Sequence, residues 1–576
     1  MNESEWENCR RDPDKLLVLL AGQSNMAGRG YAGPDDLTPI PNVLMIRPDG
    51  KWQPAVEPIT RDRAFIGTFQ ASGEKIVGSD PFETVLPQGD QKVVGVGLGR
   101  TFGRLLAEAN PGRTVGLIPC AVGGTSIAAW MPGGVDDHDP NNFPYDNAVK
   151  KAREAQISGK IVAVLWHQGE TDAKKQTPEY TEKLRTVIRN FRRDLNLGDE
   201  VPFIAGDMAS FYPERIAPHI GIVDRALDEL AAEDPSFRYV HTKDLTHRGD
   251  NLHFDTDSLH ELGRRYFEAY RQFEANPEIT IYADAESVIG EGPFYARNEN
   301  TLYWVNPRSC DHPDVMPGFI LRKTGPGIRD FEGFRPDGVG SVNAFSQKPD
   351  GTFLLFGAEC KVWTWKPGGK AELFASLDDD GNRYKLNDVT TTPDGHVFCT
   401  VLPKDFQHGT GELWDLSPDG TLRQLDTCRG IPNGMGFSPD RSRFYFTAST
   451  ERIIYQYRYE NACLSDKKVF VEDVGGDGLA VDTDGGVWSA CWTERICRFD
   501  PEGNLALEIR LPGMTVSSLC FGGPDWKDIY FTTANYPYDR TKFFRNHSGC
   551  VLVWKNSPYQ GMEIPFFGIK PLWSQK

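Results

Sequence analysis

No two of the eleven cysteines stand in Cys-x-x-Cys spacing, and an odd number of them is scattered over 576 residues. That distribution excludes a disulfide framework and a thiolate zinc site, and leaves most of the thiols as small buried hydrophobes. Long hydrophobic runs are missing too. The apolar stretch from 16 to 21 is far short of the ~20 residues that span a bilayer, and the acidic start Met1-Asn2-Glu3-Ser4-Glu5 lacks the basic segment of a secretory leader. The expectation is a cytoplasmic protein. Basic residues are in deficit, with 63 Lys and Arg against 81 Asp and Glu, and the net charge of −18 argues against nucleic acid and anionic membrane surfaces as partners. Neutral sugars, esters and lactones fit better. No biased tract is long enough to suggest disorder; 39% apolar and 25% charged residues over this length predict two or more folded domains.

Two kinds of periodicity divide the chain. From Lys15 to about Glu274 short apolar runs (16–21, 114–120, 161–166, 202–205, 237–241) alternate with amphipathic helical patterns (98–109, 146–156, 177–191, 216–232, 258–273). This alternation predicts an α/β domain with a mostly parallel sheet. A Gly- and Pro-rich excursion from Gly30 to Gly95 follows the first strand and is expected to overhang the active edge of that sheet. Gly95-x-Gly97-x-Gly99 lacks the strand-and-acid frame of a dinucleotide fingerprint and reads as a tight lead-in to the helix at Leu98.

Beyond a linker at about 275–280 the helical period disappears, and short strands with Pro-Asp-Gly or Asp-Gly turns take over. The domains are therefore drawn at 1–275 and 276–576. Aligning the second part on Tyr303, Leu354, Phe398, Tyr445, Trp488 and Tyr530 gives intervals of 51, 44, 47, 43 and 42 residues. Six units of about 45 residues fit the blades of a six-bladed β-propeller, a period that a β-sandwich would not keep.

Four motifs of the first domain fall at the carboxyl ends of its strands, the edge where open parallel sheets bind ligands. Ser24, in Gly22-Gln23-Ser24-Asn25-Met26, is a nucleophile candidate. Gly123-Gly124-Thr125 can bring bare backbone N–H groups to an oxyanion, and His167-Gln168-Gly169-Glu170 offers an amide donor and a carboxylate. In Asp250-Asn251-Leu252-His253 the spacing lets the acid orient an imidazole that deprotonates Ser24. Singly, such residues cap helices or make turns. Their convergence on one edge argues for catalysis.

Together these motifs resemble the sialate O-acetylesterase and acetylxylan esterase group of SGNH hydrolases, carbohydrate esterase family six, over nearly all of residues 15–273. The resemblance implies a doubly wound, flavodoxin-like fold and hydrolysis of acetylated sugars without a cofactor. It implies Ser24 as nucleophile, His253 as base, and Ser24 N–H, Gly124 N–H and Gln168 as the oxyanion hole. Asp250 is favoured as the orienting acid, with Glu170 second. The usual block-three asparagine is missing, and Gln168 takes its place.

In the propeller, equal offsets single out a ring. Glu291 and Asn433 lie 12 residues before their aligned aromatics, and Asn387 and Asp477 lie 11 before theirs. Two carboxylates and two amides converging on one axis suit a hard divalent cation, Ca²⁺, Mg²⁺ or Mn²⁺, with Zn²⁺ also possible. Gly290-Glu291-Gly292-Pro293, Leu386-Asn387-Asp388, Pro432-Asn433-Gly434 and Gly476-Asp477-Gly478 resemble the regucalcin and gluconolactonase (senescence marker protein) family. That resemblance implies Glu291, Asn433 and Asp477 as metal ligands, Asn387 as a metal or substrate contact, and hydrolysis of sugar lactones. Asp477 doubles as the base toward the attacking water. Lys385 stands where the family often has a substrate-holding arginine. The expectation is thus a bifunctional ester hydrolase; the alternative is an esterase whose propeller only binds carbohydrate or a partner.

Overall fold

The computed structural model describes residues 1–61, 92–276, 278–307, 319–357, 359–377, 384–403, 409–539 and 546–569, with the short pieces 68–69, 75–76 and 542. It divides into two compact units, Met1–Pro277 with Phe544–Asn546 and Glu278–Phe543 with His547–Lys576.

The first unit is built on a seven-stranded sheet of β1 (Lys15–Gly22), β2 (Val43–Ile46), β3 (Trp52–Pro54), β4 (Val115–Pro119), β5 (Gly159–His167), β6 (Phe203–Gly206) and β7 (Phe237–Val240), in the order β7-β6-β5-β1-β4-β2-β3. Every neighbouring pair is parallel except β2 and β3. Helices α1 (Glu3–Arg11), α2 (Leu98–Ala109), α3 (Pro144–Gln156), α4 (Tyr180–Leu195), α5 (Gly221–Glu233) and α6 (Thr256–Ala275) complete the unit. Leu17 to Ala21 are fully buried, as a central strand covered on both faces must be. Helices α2 and α6 pack through Phe102, whose ring meets Phe267 and Tyr270 edge-on at 5.8 and 5.9 Å. Gly97 is the N-cap of α2, the lead-in role expected of the glycine series.

Three of these elements, β2, β3 and α1, are not among the sequence expectations. Strands β2 and β3 lie inside the Gly- and Pro-rich excursion, where Pro39, Pro41 and Pro48 around the apolar run 43–46 mask it as a strand, and they extend the sheet. Residues 62–67, 70–74 and 77–91 of the excursion lie outside the described residues. Helix α1 is set by a capping box between Asn2 and Glu5, a signal hidden in a stretch noted only for its acidity.

The second unit consists of six four-stranded antiparallel sheets, each formed by consecutive strands except the last. In that blade Ile279–Ala283 pairs with Val551–Trp554, so the first strand of the unit closes the ring against its last. Closure leaves no open blade edge between the two chain ends. All six aligned residues occupy the second strand of their blade and are almost completely buried. Large aromatics seal neighbouring blades: Phe398 meets Phe437 and Phe444 at 6.1 and 5.2 Å. Among the described residues all ten cysteines are free thiols, and only Cys120 and Cys463 are not buried. No helix among them is long and apolar enough to cross a membrane.

Gly22, at the end of β1, has φ +129°, and a Cβ there would lie 2.2 Å from the carbonyl oxygen of His167 on the paired strand. Gly22→Ala should cost roughly 2–4 kcal/mol through backbone strain and overpacking, read as a lower midpoint of denaturant unfolding. An unchanged midpoint would show that this close approach is not required.

Candidate active sites

Ser24 opens a one-turn helix, Ser24–Ala27, immediately beyond the carboxyl end of β1. Its Oγ lies 3.1 Å from His253 Nε2, and His253 Nδ1 lies 2.7 Å from Asp250 Oδ2. Asp250 Oδ1 also accepts the backbone N–H of His253 at 2.8 Å, so one carboxylate fixes both the loop and the ring. Arg248 Nε donates to Asp250 at 2.9 Å, a partner that the sequence reading missed although it stands two residues away. Burial alone would raise the Asp250 carboxyl, but hydrogen bonds from His253 and Arg248 outweigh it and hold the group well below the usual carboxylate range. Burial pushes the His253 imidazole below its ordinary value, helped by the Arg29 and Arg248 charges and opposed by Asp250. The ring is thus neutral at pH 7 and free to accept a proton.

Among the described contacts, neither Ser24 N–H nor Gly124 N–H donates to a protein group. Gly124, at φ +75°, follows β4 in a turn that a residue with a side chain rarely adopts. Gln168 departs from its expected place. Its amide nitrogen donates to Asp172 Oδ2 at 2.5 Å and Thr125 O at 3.2 Å, while its oxygen accepts the Tyr180 hydroxyl at 2.8 Å. With Gln23 Oε1 a third acceptor at 3.3 Å, the amide nitrogen is surrounded by protein acceptors and ties Gln168 to the turn that ends at Thr125. Glu170 is also set back: its Oε1 accepts from Asn25 Nδ2 and, at 3.1 Å, from the Tyr212 hydroxyl. The acid hydrogen-bonded to His253 is Asp250.

The second site lies at one mouth of the propeller. Inner strands Glu291–Ala296, Tyr384–Thr391 and Pro432–Phe437, with the turn before Leu479–Val481, bring Glu291, Lys385, Asn387, Asn433 and Asp477 to one cavity of about 620 Å³. Glycines permit this convergence. Gly434 N donates to Asp477 O at 2.9 Å, and a Cβ on Gly434 would lie 2.3 Å from Leu479 N. Asn387 Nδ2 donates to Asn433 Oδ1, and Asn433 Nδ2 donates to Ser449 Oγ at 2.8 Å.

Burial and the neighbouring charges of Asp477 and Asp388 drive the Glu291 carboxyl well above its ordinary value; burial and Asp388 do the same to Asp477. Asp388, which the sequence reading quoted but gave no role, is pushed up to about 6 by burial. Acids packed together out of water with Lys385 as the nearby cation form an all-oxygen donor set short of positive charge. Such a set fits a hard divalent cation.

A family model for carbohydrate esterase, sialic acid-specific acetylesterase, matches residues 14–272, and one for the SMP-30/Gluconolactonase/LRE-like region matches residues 289–535. The chain is 35% identical over 264 residues to pentonolactonase XacC of Haloferax volcanii, covering 44% of this chain and 85% of that protein. It is 29% identical over 278 residues to a probable carbohydrate esterase of Arabidopsis thaliana, covering 45% and 91%. Regucalcin of Xenopus laevis is 26% identical over 260 residues, covering 43% and 83%. The chain is thus a carboxylic ester hydrolase whose second half belongs to the SMP-30/gluconolactonase/LRE-like family and whose first half matches the carbohydrate esterase, sialic acid-specific acetylesterase model.

Proposed function

We propose that the two halves hydrolyse two kinds of sugar ester by two chemistries: serine-dependent removal of acetyl groups from carbohydrates, and opening of sugar lactones with a divalent cation. The observation that carries the first is the unbroken relay Ser24–His253–Asp250. His253 takes the hydroxyl proton as Ser24 Oγ attacks the acetyl carbonyl, and Asp250 holds the ring and stabilises its charged form. The developing oxyanion meets Ser24 N–H and Gly124 N–H. His253 then returns the proton to the leaving sugar hydroxyl. Water, deprotonated by the same ring, releases acetate from Ser24. The substrates are acetylated xylo-oligosaccharides or sialates.

In the propeller, Glu291, Asn433 and Asp477 would hold the cation. When bound, it supplies polarisation of the lactone carbonyl and a lowered pKa for the attacking water. Asp477 would accept a proton from the attacking water, while Asn387 and Lys385 would hold the sugar hydroxyls. The relative named a pentonolactonase favours a five-carbon aldonolactone as substrate.

Ser24→Ala should lower acetate release from aryl acetates and acetylated xylo-oligosaccharides by roughly 10⁴-fold or more and leave lactone opening intact. Retention of the parental rate would remove Ser24 from the mechanism. The acid limb of kcat/KM should fall below the ordinary histidine value of 6.5, because the buried ring stays neutral further into acid. A limb above that value would contradict the depressed pKa.

Chelation should stop lactone opening and spare acetate release. Asp477→Asn should cost more turnover than Asn387→Ala, since it removes a charged ligand and the base together. Aldonolactone opening that persists in chelator, or equal losses in the two variants, would count against this assignment.

A further inference from the structure

Glu170 is almost fully buried, carries a carboxylate, and sits in the strongest motif of the first half, yet it takes no part in the relay. Its partners explain what it does. Oε1 accepts from Asn25 Nδ2 and from the Tyr212 hydroxyl at 3.1 Å. Asn25, the residue after the nucleophile and itself buried, spends its second amide hydrogen on Leu252 O at 3.2 Å, and its Oδ1 accepts Phe254 N–H at 3.3 Å. The flanking residues on either side of His253 are therefore both bonded to one side chain of the nucleophile helix. The amide cannot flip, because its oxygen faces an N–H and its nitrogen faces a carbonyl and a carboxylate.

We propose that Glu170 is a positioning residue: by anchoring Asn25 it clamps the Leu252–Phe254 loop, and with it His253 Nε2, at hydrogen-bond distance from Ser24. This rests on the reading of Ser24 as an esterase nucleophile. Leu252–Phe254 lies outside any strand, so its placement relies on such bonds. Asn251, which leads into it, adopts φ +53°, a conformation that Asn tolerates better than most residues. Asp250 orients the ring about its own loop. The Glu170–Asn25 pair sets the distance between that loop and the nucleophile.

The clamp and the alternative, that Glu170 is itself the orienting acid, predict different pH behaviour and different tolerance to an isostere. In the full-length chain, Glu170→Gln keeps an oxygen that accepts from Asn25 and Tyr212, so kcat on an aryl acetate should fall by roughly 3-fold or less. Asn25→Ala and Glu170→Leu should each lower kcat roughly 10²-fold through misplacement of His253, with KM and the acid limb unmoved. The double variant should lose no more than the worse single one. Asp250→Asn should instead move the acid limb. The proposal is overturned if Glu170→Gln is as damaging as Asp250→Asn or shifts that limb, or if folded Asn25→Ala keeps parental kcat. Near-ultraviolet circular dichroism checks folding, with Glu170→Gln and Asn25→Ala deciding the matter should Glu170→Leu fail to fold. Ser24 labelling by a fluorophosphonate separates the two layers. If the parental chain is not labelled, the esterase reading fails and the clamp with it. If it is labelled and the Asn25→Ala chain is labelled equally fast, the clamp alone fails.

Discussion

A carboxylate taken out of water must be given hydrogen-bond donors or a positive charge, and the chemistry of each half follows from which it receives. In the α/β unit the acids are given donors. Asp250 accepts from the His253 ring, the His253 backbone and Arg248; Glu170 accepts from Asn25 and Tyr212; Asp172 accepts from Gln168 and from Ile127 N–H. Asp250, so supplied, remains ionised and imposes one geometry on the side chain it binds. In the propeller, Asp477 is buried with the half-buried Glu291 and Asp388 close by; the charges of Asp477 and Asp388 raise the proton affinity of Glu291, and that of Asp388 raises it for Asp477. Lys385 is the cation near these acids, and in the proposed function a divalent cation supplies the rest of the positive charge.

The two arrangements serve the same bond. In the proposed reactions both halves cleave a carboxylic ester of a sugar, and both must stabilise negative charge on the carbonyl oxygen. The first half aims backbone N–H groups at a strand end, where Gly22 and Gly124 allow main chain to come close. The second gathers oxygen ligands at a propeller mouth, where Gly434 and Gly478 let inner strands press together around the axis. Glycine thus does comparable work in both: it removes Cβ atoms from places where backbone and ligand have to meet.

Sequence periodicity carried most of the architecture. Short apolar runs and period-3.6 patterns located β1, β4, β5, β6 and β7 and the helices α2 to α6, and the spacing of about 45 residues located the six blades, because Trp488 and its counterparts occupy one strand position in every blade. Strands β2 and β3 were masked by the Gly and Pro residues around them, and α1 depended on a two-residue cap. For the sites, the i, i+3 spacing of Asp250 and His253 sufficed to bring those two together. Contacts between distant segments were harder to read. Nothing local marks Gln168 as already committed to Thr125 and Asp172, or Glu170 as the partner of Asn25, 145 residues away. Asp388 was passed over because Asn-Asp is a common turn pair, and only its burial beside Glu291 and Asp477 sets it apart.

The central claim is that the propeller's acids require a cation while those of the esterase do not. Calorimetric titration of the metal-free full-length chain with Ca²⁺, Mn²⁺ or Zn²⁺ tests it most directly. The account predicts a single site of about one equivalent that survives Ser24→Ala and Asp250→Asn and disappears in the Glu291→Gln, Asp477→Asn double variant. A chain that binds none of these ions, or binds one equally well after both propeller carboxylates are removed, would contradict it.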